Sequence, residues 1–211
     1  MSASNEITYF IQSLKTSERI SIINANLKLF PNIKIFDAIN GYNVYETTDC
    51  LLKSQLKLKY LSFNTYGTLA NFLTKYNAFK YQIDNNIKYM CLIEDDLLLK
   101  PNFQEFIVNN TKLLDNSNIN MLRLDKWGEG YVTSIKGAIN IINYIQKNGI
   151  IENIDNQLRL YCGNEKRLYN TPWTLMVPSN KGDCLKTQKI PSICQPNKFK
   201  NGFMNRFSMN S

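Results

Sequence analysis

Residues 88–99 read Lys-Tyr-Met-Cys-Leu-Ile-Glu-Asp-Asp-Leu-Leu-Leu, an apolar run that delivers three consecutive carboxylates and then turns apolar again. The stretch 89–93 is short and rich in large apolar side chains, the pattern of a central strand buried on both faces. Glu94, Asp95 and Asp96 then bring like charges together at the strand's end. Their repulsion amounts to roughly 3 kcal/mol per pair at about 5 Å and an effective dielectric of about 20. A divalent cation with oxygen preference removes that cost. A solvated acidic turn is the plain alternative for such a triplet taken alone.

The elements around this strand set the fold class. Residues 7–14 read as a strand by their β-branched and aromatic content. Over 17–30 the apolar residues fall at 20, 23, 27 and 30, a helical spacing with Thr16 or Ser17 as N-cap and Pro31 as stop. A second strand at 33–36 closes on the turn Asp37-Ala-Ile-Asn-Gly41, so the chain opens β-α-β and favours a parallel sheet. Helices are expected at 48–60 and 69–83, the latter leading directly into the acidic strand. Further on, helix is expected at 101–114, strand at 119–124 and 131–134, helix at 137–145 and 154–161, and strand at 173–177. The tail after Pro178 reads as loop.

At 211 residues the chain is long enough for one sizeable core and too short for two comfortable domains. No apolar run approaches the roughly 20 residues that span a bilayer, and the opening Met-Ser-Ala-Ser-Asn-Glu lacks the basic start and apolar stretch of a secretory signal. A soluble, cytoplasmic protein is the expectation. The five cysteines include no C-x-x-C pair, which argues against a disulfide framework and against structural zinc.

Histidine is absent. That excludes Ser-His and Cys-His nucleophiles, His-ligated zinc and imidazole acid–base work. A general base must then be a carboxylate or something rarer, and a metal site must be built mostly from oxygen. The net charge of +8 favours anionic ligands: a nucleotide diphosphate, nucleic acid or an anionic membrane. The basic residues are mostly scattered. The exception is 184–211, which holds Lys186, Lys189, Lys198, Lys200 and Arg206 and no acid. The frequency of Asn, Ile and Lys fits an A/T-rich coding sequence such as some large DNA viruses have.

Four ordered blocks resemble glycosyltransferase family 25, the lipo-oligosaccharide and procollagen β-galactosyltransferases. Residues 7–14 with Arg19 and Phe36-Asp-Ala-Ile-Asn-Gly41 are similar to the family's opening strand, Arg-bearing helix and Asp-Ala/Val-x-Gly turn. Gly67-Thr-Leu-Ala-Asn71 and Leu92-Ile-Glu-Asp-Asp-Leu97 resemble its Gly-containing helix and Leu-Glu-Asp-Asp-Val block. Gly130-Tyr-Val-Thr-Ser-Ile-Lys-Gly-Ala138 and Ile154-Asp155-x-x-Leu158 complete the set, which spans roughly residues 7–178. Two departures stand out: the family's Ser-His aligns with Asn71-Phe72, and Ser13 replaces the usual Asn before Leu14.

The resemblance implies a GT-A fold: a Rossmann-like α/β domain over 1–180, with a mixed, mostly parallel sheet and a basic C-terminal segment at 181–211. It implies a metal-dependent inverting transfer of a hexose, galactose or glucose, from a UDP-sugar to a glycan, glycoprotein or lipid-linked acceptor. Mn²⁺ or Mg²⁺ would stabilise the departing diphosphate as a Lewis acid. Asp96 is the first expected metal ligand. Glu94 is the second, directly or through water, or else a ribose contact. Asp95 supports the turn on the donor side. Asp155 is the expected base, with a helix N-cap as its plain alternative; Asp125 and Glu129 stand in reserve. Ser13, Arg19, Asp37 and Asn71 are the expected donor contacts, against capping, solvated or turn-forming roles. Trp127 offers a flat face for the acceptor, whereas Trp173 reads as core. Lys198 and Lys200 either fold over the diphosphate or belong to a solvated end.

Two other classes compete. A metal-dependent phosphohydrolase or nuclease would want further acids around a second metal, and no comparably tight cluster follows Asp96. A basic nucleic-acid-binding module would want clustered charge with interleaved aromatics, so no nucleic-acid partner is expected.

Overall fold

The computed structural model describes residues 6–15, 17–59, 65–116, 118–124 and 128–160, and the backbone of two short strands at 165–167 and 176–178. Its centre is a six-stranded mixed sheet. The strands are β1 (Ile7–Ser13), β2 (Lys34–Asp37), β3 (Tyr89–Glu94), β5 (Met121–Arg123), β6 (Gly130–Ser134) and β7 (Glu165–Arg167), in spatial order β2-β1-β3-β6-β5-β7. β1 runs parallel to both β2 and β3, β6 runs antiparallel to its two neighbours, and β7 is parallel to β5. A two-stranded sheet pairs β4 (Leu97–Leu99) with β8 (Met176–Pro178).

Both faces of the large sheet are covered. Phe10, Met90 and Leu92 point to one side, where α3 (Tyr66–Asp84), α5 (Ile135–Asn148), α2 (Val44–Ser54) and α6 (Ile154–Leu160) build a core with Phe72, Tyr76, Phe79, Ile141 and Ile145. Tyr9, Ile11, Cys91 and Ile93 point to the other, against Ile23 of α1 (Ile20–Leu29) and Phe103 and Ile107 of α4 (Phe103–Thr111). Strand alternation sends neighbouring residues to opposite cores, so an all-apolar strand such as β3 is what two covered faces require.

Side-chain chemistry at the helix ends explains where the elements begin. α2 starts earlier than its apolar spacing indicates because the Asn43 side chain accepts from Glu46 N at 3.1 Å, and it stops at Gln55 in the left-handed region, φ 57°. Thr65 caps α3 and Ser134 caps α5, which ends at Gly149. α1 begins later than expected, at Ile20. The Ser17 hydroxyl donates to Asp95 and accepts from Arg19 N at 3.1 Å, so it turns the chain just ahead of the helix, and Arg19 at the cap position makes no capping side-chain bond. The alternative cap, Thr16, lies outside the described residues. Where helix was expected over 101–114, α4 gives way to a 3₁₀ turn at Lys112–Asp115. Among the described residues no helix is long and apolar enough to cross a membrane. The segment 181–211 lies outside the described residues.

Close approach of backbones joins the early blocks. A Cβ on Gly41 would fall 2.5 Å from the Cα of Gly67, so the turn after β2 can touch the start of α3 only because position 41 is glycine.

Candidate active site

The chain leaves β1 toward β2 on one side and returns to β3 on the other, which makes the β1–β3 crevice a topological switch point. Ligands in open α/β sheets bind at the carboxyl ends of such strands. In register there, Gln12 faces Glu94 and Ser13 faces Asp37. The acidic triplet opens directly into this crevice.

The triplet divides where β3 ends and the turn to β4 begins. Glu94 turns to the α3 side, where its Oε1 meets the Lys75 ammonium at 2.8 Å and, more distantly, Asn71 Nδ2 at 3.5 Å. Asn71 Oδ1 in turn accepts from Gln12 Nε2 at 3.0 Å. Asp95 turns to the α1 side. Arg19 Nη1 lies 2.6 Å from its Oδ1, and the hydroxyls of Ser13 and Ser17 donate to its Oδ2 at 2.7 and 3.0 Å. Burial opposes the Arg19 charge, but the Asp95 hydrogen bond and the charges of Asp95, Asp96 and Glu94 prevail and hold its pKa above the ordinary value. The repulsion expected of three adjacent acids is thus met by two cations, Lys75 of α3 and Arg19 just before α1.

Asp96 is the member left open. Its Oδ2 lies 3.7 Å from Arg19 Nη1, while Oδ1 is buried with no hydrogen-bond partner among the described residues. Burial holds its carboxyl above the usual carboxylate range, with Arg19 pulling the other way. The chain beyond it is pinned by buried Asn26 of α1, which donates to Leu97 O at 2.7 Å and accepts from Leu99 N at 2.9 Å.

Lys75 connects this crevice to α6. Its side chain is 1% exposed, and Nζ lies 2.7 Å from Asp155 Oδ1, 2.8 Å from Glu94 Oε1 and 3.1 Å from Gly128 O. The Tyr131 hydroxyl donates to the same Asp155 oxygen at 2.5 Å, and the ammonium sits 5.1 Å from the centre of the Tyr131 ring. Burial disfavours the lysine charge, but Asp155 and Glu94 outweigh it, so the amine is held above its ordinary pKa and stays protonated. Burial raises the Glu94 carboxyl, with Lys75 lowering it in part. Burial and Asp155 push the Tyr131 phenol well up, so it remains a donor. Gly128, at φ +99°, closes over the group: a Cβ there would lie 2.5 Å from the Tyr131 oxygen and 2.8 Å from Asp155 Oδ1.

Asp155 is not the helix cap. Asn153 holds that place, its Oδ1 accepting from Asn156 N at 2.9 Å. Of the other expected site residues, Ser13, Arg19, Asn71, Glu94, Asp95 and Asp96 come together at the crevice. Glu129 adjoins them through its backbone oxygen, which accepts from Glu94 N at 2.8 Å. Asp37 turns outward to Lys15, a pair 62% and 78% exposed. Asp125, Trp127, Trp173, Lys198 and Lys200 lie outside the described residues. Lys75, Gln12 and Tyr131 were not singled out from the sequence. Lys75 carried a signal: it falls between Phe72 and Phe79, inside the apolar stripe of α3, where a cation requires buried partners.

The oxygen donors present suit Mg²⁺ or Mn²⁺. Asp96 Oδ1 has no partner among the described residues, and both described partners of Glu94 bind Oε1, leaving Oε2. Among the described residues no group of three or more His, Cys, Asp or Glu is gathered to hold a metal by itself. Such cations are ordinarily held by one or two carboxylates with phosphate oxygens and water, and the crevice fits that pattern.

The family model described as glycosyltransferase family 25 (LPS biosynthesis protein) matches residues 6–169. Among solved structures the chain is similar to a glycosyltransferase involved in the glycosylation of the major capsid of PBCV-1. The identity is 10% and the TM-score 0.40, over 76% of this chain and 80% of that one. No curated protein matches.

Proposed function

The chain belongs to glycosyltransferase family 25, and from that premise we propose that it transfers a hexose, galactose or glucose, from a UDP-sugar with inversion. The acceptor is a glycan, glycoprotein or lipid-linked sugar. The observation that carries this reading is the state of Asp155: two donors fix its Oδ1, and no described residue donates to Oδ2. A carboxylate tethered by one oxygen and open at the other is equipped to take a proton in a defined direction.

In the proposed reaction the acceptor hydroxyl oxygen attacks the anomeric carbon as the bond from that carbon to the diphosphate breaks. The hydroxyl proton passes to Asp155 Oδ2, and UDP leaves with the bonding electrons. Mn²⁺ or Mg²⁺, when bound at Asp96 and Glu94, supplies charge neutralisation for the diphosphate. Arg19 adds a fixed positive charge on the same side, and Ser13 and Ser17 keep Asp95 from turning toward the phosphates.

The test is donor cleavage and binding. UDP with Mn²⁺ should raise thermal stability, by about 2.7 kcal/mol when free ligand stands at 100 times its Kd. A panel of UDP- and GDP-sugars should show cleavage of a UDP-hexose. No stabilisation by any nucleoside diphosphate with metal, and no cleavage across the panel, would overturn the reading.

A further inference from the structure

Lys75 occupies a place that neither donor binding nor proton transfer requires by itself. It is sealed from water, yet its ammonium is shared between a carboxylate on the donor side and one on the acceptor side. It binds Oε1 of Glu94 and Oδ1 of Asp155, and in each case the second oxygen is left to other partners. Its fourth neighbour is the ring of Tyr131, whose hydroxyl reinforces the hold on Asp155 Oδ1. Gly128 accepts from the ammonium through its carbonyl and packs over Asp155, so the loop before β6 is tied to the same point. A buried lysine of this kind has a high desolvation cost, and it is stable here because two carboxylates, one carbonyl and one ring face meet it.

We propose that Lys75 is a positioning residue: it locks the carboxylate of Asp155 at Oδ1 so that Oδ2 is the oxygen that receives the acceptor proton, and it sets the distance between that base and the donor-side Glu94. This rests on the assignment of Asp155 as the base. The lysine touches no substrate in this role. Its effect is on the geometry of two groups that do, and misplacing a reacting group by about 1 Å costs on the order of 100-fold in rate.

The experiment is a double-mutant cycle on Lys75 and Asp155. The full chain is used, with Mn²⁺ and whichever of UDP-galactose and UDP-glucose it cleaves faster, water serving as acceptor and UDP release as readout. Lys75→Met should lower kcat by roughly 30- to 100-fold with the donor KM within about 3-fold of its starting value. Asp155→Asn should remove most of the turnover, about 100- to 10,000-fold. In the Asp155→Asn background, Lys75→Met should cost less than about 3-fold more, because its partner is already lost. If Lys75→Met fails to fold, all four members of the cycle are compared in a Glu94→Gln background, where one of the two carboxylates that Lys75 neutralises is already uncharged.

Multiplicative losses in the double variant, or an effect confined to KM, would overturn the positioning role while Asp155 stands as the base. Undiminished cleavage by Asp155→Asn would overturn the base assignment and the role of Lys75 with it.

Discussion

Glu94 and Asp95, adjacent in the chain, are held on opposite sides of the sheet, the first by Lys75 of α3 and the second by Arg19 before α1. Each acid therefore fastens a different helix to the end of β3. Asp95 carries the more tightly knit share, with one guanidinium and two hydroxyls on its two oxygens.

Arg19→Met should accordingly act on stability. It strips Asp95 of its only charged donor among the described residues, in a pair 23% and 12% exposed. Removing one partner of a largely buried charge-assisted hydrogen bond costs about 2 kcal/mol, or roughly 4–8 °C in Tm for a chain of this size. Thermal denaturation without ligand measures it. An unchanged Tm would mean that the pair contributes nothing to the fold.

Asp96→Asn should move stability in the other direction. The Asp96 carboxyl is held above its ordinary pKa, first by burial, so the folded chain binds that proton more tightly than the unfolded chain. Stability from this group then rises as pH falls through its folded pKa and is complete below the unfolded value. At neutral pH the ionised group weighs against the fold, and the neutral amide should raise Tm by a few degrees. That gain should shrink steadily on acidification, as the wild-type carboxyl takes up its own proton. The same variant should lose the extra stabilisation that Mn²⁺ adds to UDP. A gain that grows on acidification would contradict the burial argument.

Much of this arrangement was legible in the residues, and the reasons for the gaps are specific. β1, β3, α3 and α5 were expected close to their observed limits because apolar periodicity and terminal glycine or polar caps agree there. The family and the α/β fold were likewise reached from ordered motifs. α2 was misplaced by several residues because its start is set by Asn43, whose capping bond outweighs the apolar pattern. Ser17 does bond the local backbone, but its second partner, Asp95, lies far along the chain and is invisible to local pattern. Lys75 is half-legible for the same reason: its place in the apolar stripe of α3 marks it as buried, but its partners Glu94 and Asp155 are brought to it only by folding. β4 was hidden in the apolar residues after the triplet, since Asn26, which bonds to both its ends, belongs to α1.

Gly128→Ala should damage turnover and fold together. The position has φ +99°, strained for any side chain, and the added methyl would meet Tyr131 Oη and the Asp155 side chain. Backbone strain of this kind costs about 1–3 kcal/mol. Because the methyl pushes on Asp155, kcat for donor cleavage should fall by more than tenfold even below the unfolding temperature. Circular dichroism and initial rates on one preparation separate the two effects. Full activity at reduced Tm would show that Asp155 tolerates displacement.

Tyr131→Phe isolates the weaker of the two holds on Asp155. The ring that packs against Lys75 is kept, and only the hydroxyl on Asp155 Oδ1 is lost. With the ammonium still 2.7 Å from that oxygen, the carboxylate keeps its direction, and the loss should be about one hydrogen bond's worth, 1–2 kcal/mol, or roughly 5- to 30-fold in kcat. The donor KM should be unchanged, since the phenol bonds the proposed base, Asp155. Burial, and then Asp155, push the phenol well above its ordinary pKa, so in the folded enzyme it stays a neutral donor throughout the neutral and mildly alkaline range. The wild-type rate should therefore show no decline between pH 7 and 9 that Tyr131→Phe abolishes. Steady-state rates of UDP release across that range decide it, and a basic limb that disappears in the variant would mean the hydroxyl ionises during turnover.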